Sequence, residues 1–97
     1  MKYIARKGII LTDVGSQPIL VSAASLRGVV PYVAGINETT AFCWNKLLNG
    51  VSEEELEEYI LEEYETDSLE LVREDIHNLI EDLKSKGYII EQEETGS

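Results

Sequence analysis

The chain predicts an α+β domain: a small three-stranded antiparallel sheet followed by three helices packed on one of its faces. Short β-branched runs separated by turn residues fill the first half, whereas capped segments with helical spacing fill the second. Charge divides at the same place. Residues 1–50 carry five basic groups against two acidic ones, and residues 51–97 carry three against seventeen. At 97 residues there is room for one domain with one modest core, which disfavours a self-sufficient enzyme with an enclosed active site. The expected domain runs over residues 1–90, with 91–97 as a polar, disordered tail.

The elements follow in order. Gly8 to Val14 and Pro18 to Ser22 read as a hairpin around the turn signal Gly15-Ser16. Val29 to Ile36 reads as a third strand, which Pro31 restricts to an edge because it lacks a ladder donor. Asn37 caps a first helix over Thr39 to Leu48, burying Ala41, Trp44, Leu47 and Leu48, and Asn49-Gly50 stops it. Ser52 and Glu55 form a capping box for a second helix reaching about Glu65, with Leu56, Tyr59, Ile60 and Tyr64 at helical spacing. After a turn at Thr66-Asp67, Asp67 or Ser68 caps a third helix to about Lys86. Its stripe is Leu69, Val72, Ile76, Leu79, Ile80 and Leu83, and Gly87 ends it. Tyr88-Ile89-Ile90 is then a short apolar segment that closes the core.

Several function classes fall on composition. The net charge of -11 opposes non-specific attraction to nucleic acid or to an anionic membrane. No apolar run approaches the roughly 20 residues of a membrane span, and Thr12 and Asp13 interrupt any signal-peptide core, so the expectation is a soluble, cytoplasmic protein. Cys43, the single cysteine, sits between Phe42 and Trp44 and reads as a buried small hydrophobe. His77, the single histidine, has Arg73 and Glu81 one turn away, the setting of a surface pair. The Glu clusters of the second helix lack calcium-loop spacing, and there is no phosphate loop, zinc motif or nucleophile elbow. No catalytic residue, metal or cofactor is expected. A helix-turn-helix reading suits the last two helices, but Glu70, Glu74, Asp75, Glu81 and Asp82 give the third the wrong sign for a phosphate backbone.

The segments I-N-E-T-T-A-F-C-W-N-K-L-L-N-G (Ile36 to Gly50), S-E-E-E-L-E-E-Y-I-L-E-E-Y (Ser52 to Tyr64) and L-K-S-K-G-Y-I-I together resemble the PqqD family of small peptide chaperones, also called RiPP recognition elements. The resemblance covers roughly residues 8 to 90. It implies a winged-helix-like domain without catalytic activity that binds the leader segment of a ribosomally made precursor peptide. That peptide is delivered to a modifying enzyme such as a radical SAM enzyme, a cyclodehydratase or a lasso-type leader peptidase. It further implies that the leader adds as a strand to the edge of the third strand, against the third helix. The implied peptide-binding residues are Val29, Val30, Tyr32, Val33 and Ile36 on the strand, and Arg73, Ile76, His77, Ile80 and Lys84 on the helix.

Between Gly28 and Ile36 the chain departs from the family pattern, carrying additional residues that include Pro31; an outward-facing Pro31 would cost one ladder bond. Helical spacing puts Arg73, His77 and Lys84 on one edge of the apolar stripe, and Asp75, Asp82 and Lys86 on the other. The basic edge is expected either to meet an acidic leader residue or to be neutralised by Glu70 and Glu81 through helical pairs worth about 0.2–0.5 kcal/mol. Two further readings stand beside leader binding: a winged-helix nucleic-acid-binding or regulatory domain, and an accessory in a pathway without a peptide product.

Overall fold

Turn chemistry and side-chain alternation in the first half set a hairpin, and the hairpin recruits one further short strand. The computed structural model describes residues 1–64 and 68–92. Its strands are β1 (Lys2–Ala5), β2 (Ile9–Val14), β3 (Gln17–Ser22), β4 (Val33–Gly35) and β5 (Ile89–Gln92); its helices are α1 (Glu38–Leu47), α2 (Glu53–Glu63) and α3 (Leu69–Ser85). The expected α+β order of a three-stranded antiparallel sheet followed by three helices is present, as β2-β3-β4 and then α1 to α3.

Register fixes which face of the sheet is covered. Leu20 pairs with Leu11 and Ala34, and this row packs inward, Leu20 being fully buried. Val21 pairs with Ile10 and Val33, and this row points outward, with Ile10 and Val33 exposed. The helices close the inner face. Trp44 and Leu47 from α1, Leu56 and Ile60 from α2, and Val72, Ile76, Ile80 and Leu83 from α3 form the core with Tyr88 and Ile89.

The caps form as the sequence predicts, because they depend only on neighbours. The Thr40 N–H donates to Asn37 Oδ1 at 2.7 Å. At α2 the Glu55 N–H donates to Ser52 Oγ and the Ser52 N–H to Glu55 Oε1, each at 3.1 Å, and such a cap is worth about 1 kcal/mol. That backbone bond holds the Glu55 carboxyl below the usual carboxylate range. At α3 the Leu71 N–H donates to Ser68 Oγ at 3.3 Å. The expected end of α2 at Glu65, the turn at Thr66-Asp67 and residues 93–97 lie outside the described residues.

Four expectations change. Lys2–Ala5 is a strand, paired antiparallel with β5 from Lys2↔Gln92 to Ala5↔Ile89, so Tyr88-Ile89-Ile90 leads into a ladder that takes in Glu91 and Gln92. The Tyr3 N–H donates to the Val51 C=O at 2.8 Å and the Val51 N–H to the Tyr3 C=O at 2.9 Å, tying this ladder to the junction of α1 and α2. Leu48, the C-cap of α1, is exposed. Tyr59, Tyr64 and Leu69 also lie at the surface, where Lys46 Nζ sits 4.4 Å from the Tyr59 ring centre.

The third strand is only three residues long, because tertiary contacts capture the residues before it. Ser22 Oγ and the Tyr88 hydroxyl both donate to the Pro31 C=O, at 2.8 and 3.5 Å. Gly87, with φ 86°, packs so closely that a Cβ there would lie 3.0 Å from the Val29 carbonyl oxygen and 3.0 Å from Val30 Cγ1. Val30 is thereby drawn into the core. No helix among the described residues is long and apolar enough to cross a membrane.

Candidate functional site

β4 is an edge strand, and its ladder bonds to β3 determine which of its backbone groups are free. The Ser22 N–H donates to the Tyr32 C=O at 2.9 Å and the Ile36 N–H to the Pro18 C=O at 3.0 Å. Residues 32, 34 and 36 therefore turn toward β3. By the alternation of an antiparallel ladder, the N–H and C=O groups of Val33 and Gly35 point to the open side. Pro31, two residues earlier, has no N–H to offer, so an open ladder begins at Val33.

Alongside this edge runs a groove of about 590 Å³ between β4, the start of α1 and one flank of α3. Ala34 and Ile36 on one side and Ile76, Leu79 and Leu83 on the other give it an apolar floor, closed at one end by Tyr88. Burial raises the Tyr88 phenol above its ordinary pKa, so it stays a neutral hydrogen-bond donor. Asn37, Thr39 and Thr40 from the capped start of α1 supply a polar wall. The α3 flank adds Asp75, Asn78, Asp82 and Lys86, and Lys86 Nζ is 3.1 Å from Asp82 Oδ2. The groove rim is thus mildly acidic. The outer edge of β2 is the sheet's other open edge, but no residue of β2 lines the groove.

The ten residues expected to bind peptide divide into four groups. Val33 is on the open edge, and Ile36 and Ile76 line the groove. Val30 and Ile80 are core residues. Val29 and Tyr32 are exposed in the segment before β4, Tyr32 bonding to β3 through its backbone carbonyl. Arg73, His77 and Lys84 lie on the opposite flank of α3 and do not reach the groove.

Each of those three meets a carboxylate on that far flank. Arg73 Nε donates to Glu57 Oε1 at 2.9 Å, and His77 Nδ1 is 3.3 Å from Glu53 Oε1, so both fasten α3 to α2. Lys84 Nζ lies 3.6 Å from carboxylates of Glu81 and Glu91, and 5.6 Å from the Tyr3 ring centre; Glu81 chiefly raises its pKa. Of the two outcomes expected for this edge, the expected Glu81 pair forms with Lys84, while Arg73 and His77 meet Glu57 and Glu53 of α2; the other edge of α3 borders the groove.

Residues the sequence reading did not assign to the site are Gly35, Leu79, Leu83 and the Asp75, Asn78 and Asp82 flank. Helical spacing had already put Asp75, Asp82 and Lys86 together; the missing information was which flank faces β4. Cys43 is fully buried elsewhere, its thiol pushed up to about 11 by burial, and among the described residues no cluster could hold a metal ion.

Comparison with known proteins gives one family and two similar folds. Residues 29–89 match the family described as Coenzyme PQQ synthesis protein D (PqqD). No curated protein matches the sequence. Among solved structures, the chain resembles "TbiB1 in Complex with the TbiA(beta) Leader Peptide" with a TM-score of 0.71 at 16% identity, covering 94% of this chain and 99% of that one. It also resembles "Lasso peptide synthetase B1 complexed with the leader peptide" with a TM-score of 0.70 at 22% identity, covering 92% and 98%. At these identities the likeness is one of fold.

Proposed function

The chain belongs to the PqqD family, and from that premise we propose that it is a non-catalytic chaperone that takes up the leader segment of a ribosomally made precursor peptide as a strand on β4. It presents the bound leader to a modifying enzyme of the radical SAM, cyclodehydratase or leader-peptidase type, in the cytoplasm where such precursors are made. The observation that carries this reading is the open β4 edge lying along an apolar groove. Outward N–H and C=O groups of Val33 and Gly35 supply sequence-independent affinity, and the groove supplies a pocket for side chains on one face of the added strand. Both similar solved structures are described as holding leader peptides, which supports the same reading. The nucleic-acid alternative has no observation in its favour: the two basic residues Arg73 and Lys84 are engaged by Glu57, Glu81 and Glu91.

The test is binding of a fluorescent synthetic leader from the precursor encoded nearest the gene. The expected Kd lies in the micromolar to nanomolar range, about -8 to -12 kcal/mol. The double variant Arg73→Gln, Lys84→Gln should bind within about two-fold of the parent at low salt, because exposed charges on the far flank contribute little. A loss well beyond that would put the peptide on the α2 side of α3. No binding by the parent chain would remove the leader as its ligand.

A further inference from the structure

Gly35 has no internal reason to be a glycine. Its backbone is outside the left-handed region that Gly8, Gly15, Gly28, Gly50 and Gly87 occupy. A Cβ at Gly35 would meet only the Gln17 amide nitrogen, at 3.6 Å, which is an ordinary contact. A glycine inside a strand forgoes packing and adds backbone entropy to be lost on folding, and it commonly marks a place where another chain approaches closely. Here it lies on the open edge beside the groove.

The neighbours define what would fill the notch. Gly35 pairs with Ile19, and Val33 pairs with Val21, which pairs in turn with Ile10. These residues share the face of the sheet turned away from the core; Ile19 and Val21 are half-buried, and Ile10 and Val33 are 65% and 49% exposed. The missing side chain leaves the flank of Ile19 open between Val33 and the Gln17 side chain. That amide is held in place by bonds to the carbonyls of Ile36 at 2.7 Å and Pro18 at 3.1 Å. The notch is apolar with one fixed polar border.

We propose that the leader strand seats a bulky apolar side chain, aromatic or long aliphatic, over Gly35 on the face of the sheet turned away from α3. The inference rests on strand addition to β4. In either strand direction directly paired residues share a face. The leader residue paired with Gly35 therefore projects outward over the notch, the one paired with Ala34 projects into the groove, and the one paired with Val33 extends the Ile10–Val21–Val33 row. Recognition is two-sided, and the leader strand is apolar on both faces at this pairing. A large side chain laid across a strand glycine is a favourable cross-strand arrangement.

The experiment selects random dodecapeptides by display on the full chain and labels an enriched peptide for anisotropy and amide hydrogen exchange. Gly35→Val, a β-favouring change with room for its Cβ, should keep the melting temperature and weaken that peptide about ten-fold by filling the notch. Replacing the peptide's bulky residue with Ala should weaken binding to the parent about ten-fold and change binding to Gly35→Val very little, the signature of direct coupling. Should Gly35→Val fold poorly, Gly35→Ala and the peptide-side substitution give the same comparison. A peptide that protects the Val33 and Gly35 amides yet binds Gly35→Val as well as the parent overturns this inference and leaves strand addition standing. A peptide that binds without protecting those amides overturns strand addition itself.

Discussion

Trp44→Ala should lower the unfolding free energy by about 3–5 kcal/mol, measured by urea denaturation. Trp44 is 1% exposed and meets the Tyr88 ring edge-on, with centroids 6.4 Å apart and planes at 89°. The pair joins α1 to the segment between α3 and β5, so truncation opens a cavity where three elements converge. A domain has only about 5–15 kcal/mol of net stability, so this loss is a large share of the total. Trp44→Phe, which keeps an aromatic edge against Tyr88, should lose much less. A Trp44→Ala protein melting within a degree or two of the parent would show that this contact does not hold the core.

The largest effect on binding is expected from Leu79→Glu. Leu79 is half-buried on the groove floor beside Ile76 and Leu83, and Asp75 and Asp82 flank it on the same side of α3. A carboxylate there removes an apolar contact, sets three acids along one rim, and leaves only Lys86, already paired with Asp82, to offset them. Loss of such a central contact costs about 2 kcal/mol or more, roughly thirty-fold in Kd for the leader. Leu79→Met keeps volume and polarity and should bind nearly as the parent does. A folded Leu79→Glu protein with unchanged affinity would place the leader outside this groove.

What the sequence made legible is what depends on neighbours a few residues apart. Asn37, Ser52 and Ser68 cap their helices by side-chain bonds spanning three residues, and Gly50 and Gly87 stop two of them with positive φ. The α3 stripe was legible for the same reason, and Val72, Ile76, Ile80 and Leu83 are buried. The β1–β5 ladder was not, since Tyr3 pairs with Glu91 and neither segment carries a local sign of the other. The short length of β4 was hidden because Tyr88 and Gly87, distant in sequence, join Ser22 in holding Val29 to Pro31 off the ladder. Periodicity grouped Arg73, His77 and Lys84 correctly on one edge of α3. It could not say that α2 offers Glu53 and Glu57 to that edge and leaves the opposite edge to β4. Packing direction is a property of three elements at once, and one helix's spacing does not contain it.

The central claim is that a leader peptide becomes the strand next to β4, and backbone amide exchange on the complex tests it most directly. The protein would be ¹⁵N-labelled and titrated with the leader of the precursor encoded beside its gene. The Val33 and Gly35 N–H groups, pointing to the open side in the free protein, should shift and become protected, with side-chain signals of Ile76 and Leu79 moving in step. Protection confined to α2 or to the open edge of β2, with Val33 and Gly35 exchanging as before, would contradict the account.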